Sequence, residues 1–359
     1  MCEVVLGGTP RTSVSEYWGG SVPWLTPGDM GKIQGLYVDK TSRTLTQKGL
    51  ENGSRLFPAN SVVLSTRAPI GYVLINTVPM CTNQGCKTIV PGSAIMPNFL
   101  AYNLIGRAIE LNELGTGTTF KELATGVLKN IDIPIPPLAE QKRIVAKIDA
   151  AFEKVDKLKT NAEKNLANAK ELFQSALDEA MRSKPGWVEK RLGEVCDTIT
   201  AKGHQIQQKE IVESGKYPVV SQSEQFIEGY TDFNEPVKSV PVVLFGDHTC
   251  CSKYIDFPFV VGADGTKLLK INQGDAKYLY YVVLKVGMSL VDGKYRRHFK
   301  DLKKAEICLP PVNEQQRLAK QLDVLSQKTK TLQQNYARQI ADCAEMRQAI
   351  LREAFEGRL

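Results

Sequence analysis

No stretch of this 359-residue chain approaches the ~20 apolar residues of a membrane helix, and its start lacks the basic-then-apolar order of a signal peptide. The expectation is a cytoplasmic protein. Its eight cysteines, Cys2, Cys81, Cys86, Cys196, Cys250, Cys251, Cys308 and Cys343, include no C-x-x-C pair, so they read as reduced, partly buried thiols. A metal site of His248, Cys250 and Cys251 is disfavoured, because adjacent cysteines seldom chelate one tetrahedral ion together and no second pair is in place. A phosphate loop is also missing: GADGTK and GTGTTFK both lack the G-x-x-x-x-G-K-[ST] spacing. The Pro-Pro pairs of IPIPPL and ICLPPV have neither the preceding Asn or Asp nor the following aromatic with which an adenine methyltransferase holds a flipped base. Nothing resembles a nuclease site, so the chain is expected to catalyse nothing itself. Nor does one charge dominate. With 46 Lys plus Arg against 39 Asp plus Glu, the net charge of +7 permits a nucleic-acid partner without demanding one.

Proline is absent between Pro137 and Pro185 and again after Pro311, and each gap holds one copy of a repeat. IPIPPLAEQKRIVAKIDAAFEKVDKL recurs 174 positions on as ICLPPVNEQQRLAKQLDVLSQKTKTL. Pro136, Pro137, Glu140, Gln141, Arg143 and Asp149 fall on Pro310, Pro311, Glu314, Gln315, Arg317 and Asp323. Paired prolines suit a strand end and the first turn of a helix, and each copy then reads as one helix on the order of 65 Å long. Val145, Ile148, Phe152, Val155, Ala162, Leu166, Ala169, Phe173, Ala176 and Ala180 step by threes and fours, interrupted at Lys159, which is a coiled-coil seam. The second copy runs through Leu318, Leu322, Leu325, Thr329, Leu332 and Tyr336. After a four-residue stutter it resumes at Ile340, Cys343, Ile350 and Ala354.

Short extended runs between Gly, Pro, Asn and Thr fill residues 1–135 and 184–309, each with one helix, NFLAYNLIGRAIELNEL or AKYLYYVVLKVGM. These regions repeat each other too. At an offset of 180, VVLSTRAPIGYVLI lands on VVLFGDHTCCSKYI, and Gly85 and Lys87 meet Gly265 and Lys267; FKEL from Phe120 matches FKDL from Phe299. The organisation predicted is α+β: domain 1–135, helix 136–183, domain 184–309, helix 310–359. Cys2 corresponds to Cys196, so the first domain has no counterpart of Trp187–Val195, and its first edge strand is expected to fray.

In its PPLAEQKRIV and PPVNEQQRLA motifs, its two divergent domains and its terminal AFEGRL, essentially the whole chain resembles the specificity (S) subunits of Type I restriction-modification systems. The resemblance implies two mixed α/β target recognition domains, each reading half of a split double-stranded DNA sequence. It also implies an antiparallel helix pair that spaces them and docks two modification (M) subunits carrying S-adenosylmethionine. Two restriction (R) subunits would supply ATP- and Mg-dependent translocation and cleavage; no cofactor is expected on this chain. A second helix running back along the first would relate the two copies by an approximate two-fold axis, like that of duplex DNA.

Candidate DNA contacts are basic, amide and hydroxyl residues on domain loops. In the first domain these are Arg67, Thr116, Thr118, Thr119 and Lys121. The aligned GKYRRHFKDLKK of the second supplies Lys294, Tyr295, Arg296, Arg297, His298 and Lys300, and His248 and Lys253 align near Arg67. Glu140, Gln141, Arg143, Glu314, Gln315 and Arg317 are candidates for partner docking, or alternatively solvated or capping residues of the helix starts. Competing functions are an orphan or decoy S-like protein that binds M subunits without a DNA target, a coiled-coil adaptor binding only proteins, and an enzyme in its own right.

Overall fold

The computed structural model describes residues 2–117, 121–262 and 265–358. The chain forms two compact units, Met1–Ala162 with Arg338–Leu359, and Glu163–Ala337.

The first unit contains strands β1 (Cys2–Leu6), β2 (Trp18–Leu25), β3 (Tyr37–Val38), β4 (Arg43–Leu45), β5 (Val62–Thr66), β6 (Ile70–Asn76), β7 (Cys81–Thr82) and β8 (Cys86–Pro91). They build one sheet of order β1-β8-β5-β6-β3 and a smaller one of order β4-β2-β7. Short helices α1 (Pro27–Met30), α2 (Gln47–Glu51), α3 (Pro97–Gly106), α4 (Ala108–Glu113) and α5 (Thr125–Lys129) lie between and after them, and the long helix α6 (Leu138–Ala180) follows. β5 is buried throughout because both of its faces are covered. Val62 and Leu64 join a core with α3, with Ile148 and Phe152 of α6, and with Leu351, while Val63 packs with Leu74 and Met80 on the other face. The single helix expected over Asn98–Leu114 is broken after Gly106, which sits against Leu351, so closely that an added Cβ would lie 3.2 Å from the leucine Cβ.

β1 is not frayed. It pairs antiparallel with β8 over five residues, from Cys2 opposite Pro91 to Leu6 opposite Lys87.

The second unit repeats the plan with β9 (Val188–Arg191), β10 (Cys196–Ile199), β11 (Tyr217–Val220), β12 (Gly229–Thr231), β13 (Val242–Gly246), β14 (Ser252–Ile255), β15 (Val260–Val261), β16 (Thr266–Ile271) and β17 (Glu306–Leu309). Its helices are α7 (Ala276–Leu290), α8 (Phe299–Lys304) and the long α9 (Val312–Phe355). β10-β16-β13-β14 form the main sheet, β12-β11-β15 a second, and β17 pairs with β9. One residue separates the observed repeat from the gap-free alignment. Val243 and Phe245 face the long-helix core, as Val62 and Leu64 do, whereas Val242 and Leu244 pack on the opposite face. The offset on this strand is therefore 181, because a shift of one residue turns every side chain to the other face of a sheet. Thr66 N bonds Gly85 O at 2.8 Å, and Asp247 N bonds Gly265 O at the same distance, so Arg67 and His248 hold equivalent positions.

Each unit combines one half of α6 with the opposite half of α9. In the first, Arg347 bonds Asp156 at 2.5 Å and lies over the Phe152 ring, with Leu351 and Ala354 in the core. In the second, Phe173, Leu177 and Ala180 share a core with Leu318 and Leu322. Within each unit the helix halves are thus antiparallel. The expected seam is largely buried, but Leu332 is exposed and breaks it.

Gln141 and Gln315 correct the docking assignment. They are 0% and 3% exposed. Gln141 Oε1 accepts from Met96 N at 2.8 Å, and its Nε2 donates to Ala94 O and Pro136 O at 2.9 and 2.8 Å. Gln315 Oε1 accepts from Asp275 N at 2.7 Å, and its Nε2 donates to Pro310 O at 2.8 Å. Gly274, at φ +91°, makes room: a Cβ there would stand 2.6 Å from Gln315 Oε1. Next along each helix, Tyr102 donates to Asp149 at 2.5 Å and Tyr281 to Asp323 at 2.6 Å. Both tyrosine pKa values rise with burial and with the bond to the carboxylate. These repeated side chains lock each long helix onto its own domain and are spent inside the unit.

Candidate nucleic-acid interface

In the second unit the end of β13 and the loop before α8 meet. His298 N donates to Asp247 O at 2.8 Å, and Asp247 Oδ1 accepts from Phe299 N at 2.9 Å. This fixes the base of the loop. At its tip Tyr295 stacks on His248 with ring centroids 4.7 Å apart and planes 3° from parallel, while remaining 87% exposed. Arg296 braces the loop from within, reaching Asp292 at 2.8 Å and Asp301 at 2.6 Å. Those carboxylates hold its guanidinium pKa above the usual value. Its charge is thereby neutralised locally, whereas Lys294, Arg297 and Lys300 are exposed and make no ion pair with another described residue.

Two second-unit candidates are buried and drop out as surface contacts. His298, 2% exposed, starts α8 with its backbone bonded to Asp247. Lys253, 4% exposed, donates to Ser221 O at 2.8 Å and Gln225 O at 2.5 Å, and burial lowers its pKa. Sequence reasoning missed Gln222 and Thr249. His248 N donates to Gln222 Oε1 at 3.4 Å and Thr249 Oγ1 to Gln222 O at 2.8 Å, which places both beside the stacked rings. A separation of 26 residues from His248 hid Gln222, whereas Thr249, next to His248 in sequence, was passed over.

The first unit makes the same junction with other side chains. Leu123 N donates to Thr66 O at 2.9 Å, and Glu122 bridges through its backbone to both Arg67 and Thr116. Buried Lys87 ties the junction from beneath, donating to Leu123 O at 2.5 Å and Thr66 Oγ1 at 3.2 Å. Arg67, Thr116 and Lys121 are exposed there. Thr118 and Thr119 lie outside the described residues.

On the long helices, Glu140 with Arg143 and Glu314 with Arg317 form matching exposed pairs of 2.7 and 2.6 Å. Such pairs stabilise a first turn by a few tenths of a kcal/mol and leave the polar surface in place. More informative are exposed apolar residues. Leu138, Leu158 and Met346 in the first unit match Val312, Leu332 and Leu172 in the second, each at the 174-residue offset. A helix side chain that is apolar, exposed and repeated at the same position fits a covered surface better than a solvated one.

A family model for the Type I restriction modification DNA specificity domain matches residues 1–168 and again 184–340. The MjaIX specificity subunit of Methanocaldococcus jannaschii, a Type I restriction enzyme subunit, is 33% identical over 61% of this chain and 54% of its own. For the EcoR124I/EcoR124II specificity subunit of Escherichia coli the values are 31%, 47% and 42%. The chain thus spans about half the length of these curated relatives. Among solved structures, a chain from a study of complex assembly and conformational transition of the type I R-M system superposes with a TM-score of 0.75 at 21% identity, covering 100% of this chain and 98% of that one. The HsdS subunit from Thermoanaerobacter tengcongensis does so at 0.58 and 21%, covering 100% and 97%. At that identity the likeness establishes the fold.

Proposed function

The chain belongs to the Type I restriction modification DNA specificity family, and on that premise we propose that it is the DNA-reading subunit of a Type I restriction-modification assembly. Each unit reads one half of a bipartite, asymmetric duplex target, and the chain performs no chemistry. The observation that carries this reading is one junction furnished in two ways. Arg67, Thr116 and Lys121 stand in one unit where His248, Tyr295, Arg297 and Lys300 stand in the other. A shared scaffold with unlike loops suits two related folds that read different bases.

The repeated apolar trios favour docking of one modification subunit per unit, two in all, each bringing S-adenosylmethionine. Two restriction subunits complete the assembly with ATP and Mg. The test is co-expression with a Type I modification subunit and mapping of N6-methyladenine across random-sequence DNA. A split motif with one modified adenine on each strand is the expected result. A bound modification subunit that methylates nothing would overturn the reading in favour of a protein-binding decoy.

A further inference from the structure

Resting on the DNA-reading role, we propose that the second unit stacks Tyr295 on the face of a nucleobase that has left the base-pair stack, while the first unit reads its half with the duplex closed. Tyr295 is 87% exposed, more than any other aromatic among the described residues. One face of its ring lies on His248, with centroids 4.7 Å apart and planes 3° from parallel, and the opposite face is open to solvent.

His248 is held from three sides. Its N donates to Gln222 Oε1 at 3.4 Å, its Nδ1 lies 3.3 Å from Arg296 O, and its Cδ2 rests against Gly265, where a Cβ would stand 3.0 Å away. The loop is pinned on both sides of the tyrosine. Lys294 N donates to Asp292 Oδ1 at 3.0 Å, and Arg296 reaches Asp292 and Asp301. The ring is therefore presented in place before any ligand arrives.

A stack of two rings with one free face accepts a third flat group. The exposed cations around it, Lys294, Arg297 and Lys300, suit a nucleotide, which brings a phosphate with its base. A contact to base edges in a groove would use donors and acceptors, and the tyrosine side chain has only one hydroxyl to give. Base faces inside a duplex are covered by their neighbours. The platform reaches one only where a base is rotated out or a step is opened, so it implies local opening of the second unit's half-site. The first unit puts a threonine at this place: Thr116 stands four residues before Phe120 as Tyr295 stands four before Phe299.

The experiment measures, by anisotropy at several salt concentrations, the affinity of the chain assembled with its modification subunit for the duplex target that methylation mapping defines. Tyr295→Ala and Tyr295→Leu should each weaken binding by about fivefold or more with the salt slope unchanged, and Tyr295→Phe should bind as the unaltered chain does. A mismatched pair stepped through both half-sites should, at a position in one half only, tighten binding of the unaltered chain and not of Tyr295→Leu, because that pair is already loosened. Equal affinity for Tyr295→Leu and the unaltered chain, a lower salt slope with Tyr295→Ala, or no mismatch whose gain depends on Tyr295 would each overturn the stacking role while leaving the DNA reading in place. Failure of the unaltered assembly to bind any duplex would overturn both.

Discussion

Replacing Gln315 with Leu would leave Asp275 N and Pro310 O without their partner in a buried setting. Each orphaned group costs about 1–3 kcal/mol, so Gln315→Leu should visibly lower the urea midpoint of unfolding, whereas Arg317→Ala, two residues on and at the surface, should not. Burial pushes the thiols of Cys81 and Cys196 up to about 11 and that of Cys86 up to about 12. An unfolded chain's thiols ionise near about 8.5. These groups therefore stabilise the fold fully below that pH, and the contribution is lost as pH rises towards 11–12, which urea titrations at stepped alkaline pH would register. At the candidate interface, Arg297→Ala or Lys300→Ala should weaken DNA binding across all sequences and reduce the slope of log affinity against log salt by about 1 each, if each neutralises one phosphate. An unchanged slope would remove that residue from the interface. Residue-level burial was poorly legible in the sequence. Lys253 and His298 sit among polar neighbours that suggest a surface, and the carbonyls that satisfy Lys253 lie 28 and 32 residues away.

Among the elements, the two long helices were legible because period, proline punctuation and duplication agree, and α6 and α9 run 43 and 44 residues. The strands were legible as segments but not in phase. A period of two cannot reveal that Val62 answers to Val243, when a valine also stands at Val242. The exposed apolar faces of the helices were misread or passed over: Leu332 was assigned to the seam, and Leu158, beside the interruption at Lys159, was not singled out. They give the sharpest expectation at this scale. Leu158→Glu or Leu332→Glu should leave the melting temperature of the isolated chain unchanged. On the proposed docking of one modification subunit per unit, each should reduce the subunits captured per chain, read by native mass spectrometry, by one, and the double variant should capture none. Full occupancy in the double variant would place docking elsewhere.

For the whole molecule, duplication was the most readable property, because two copies of a motif need no conformational code to be recognised. What could not be read is how the chain is shared between its compact units. The second unit is one continuous stretch, Glu163–Ala337, while the first is closed by Arg338–Leu359, with Leu351 and Ala354 in its core. A chain ending at Ala337 should therefore retain the native exchange protection of β13 and β16 and lose that of β5 and β8. During synthesis the consequence is an inverted order of completion. The strands translated first must wait, with part of their apolar face bare, until the ribosome has delivered the last two turns of α9, while the unit begun later can already be finished.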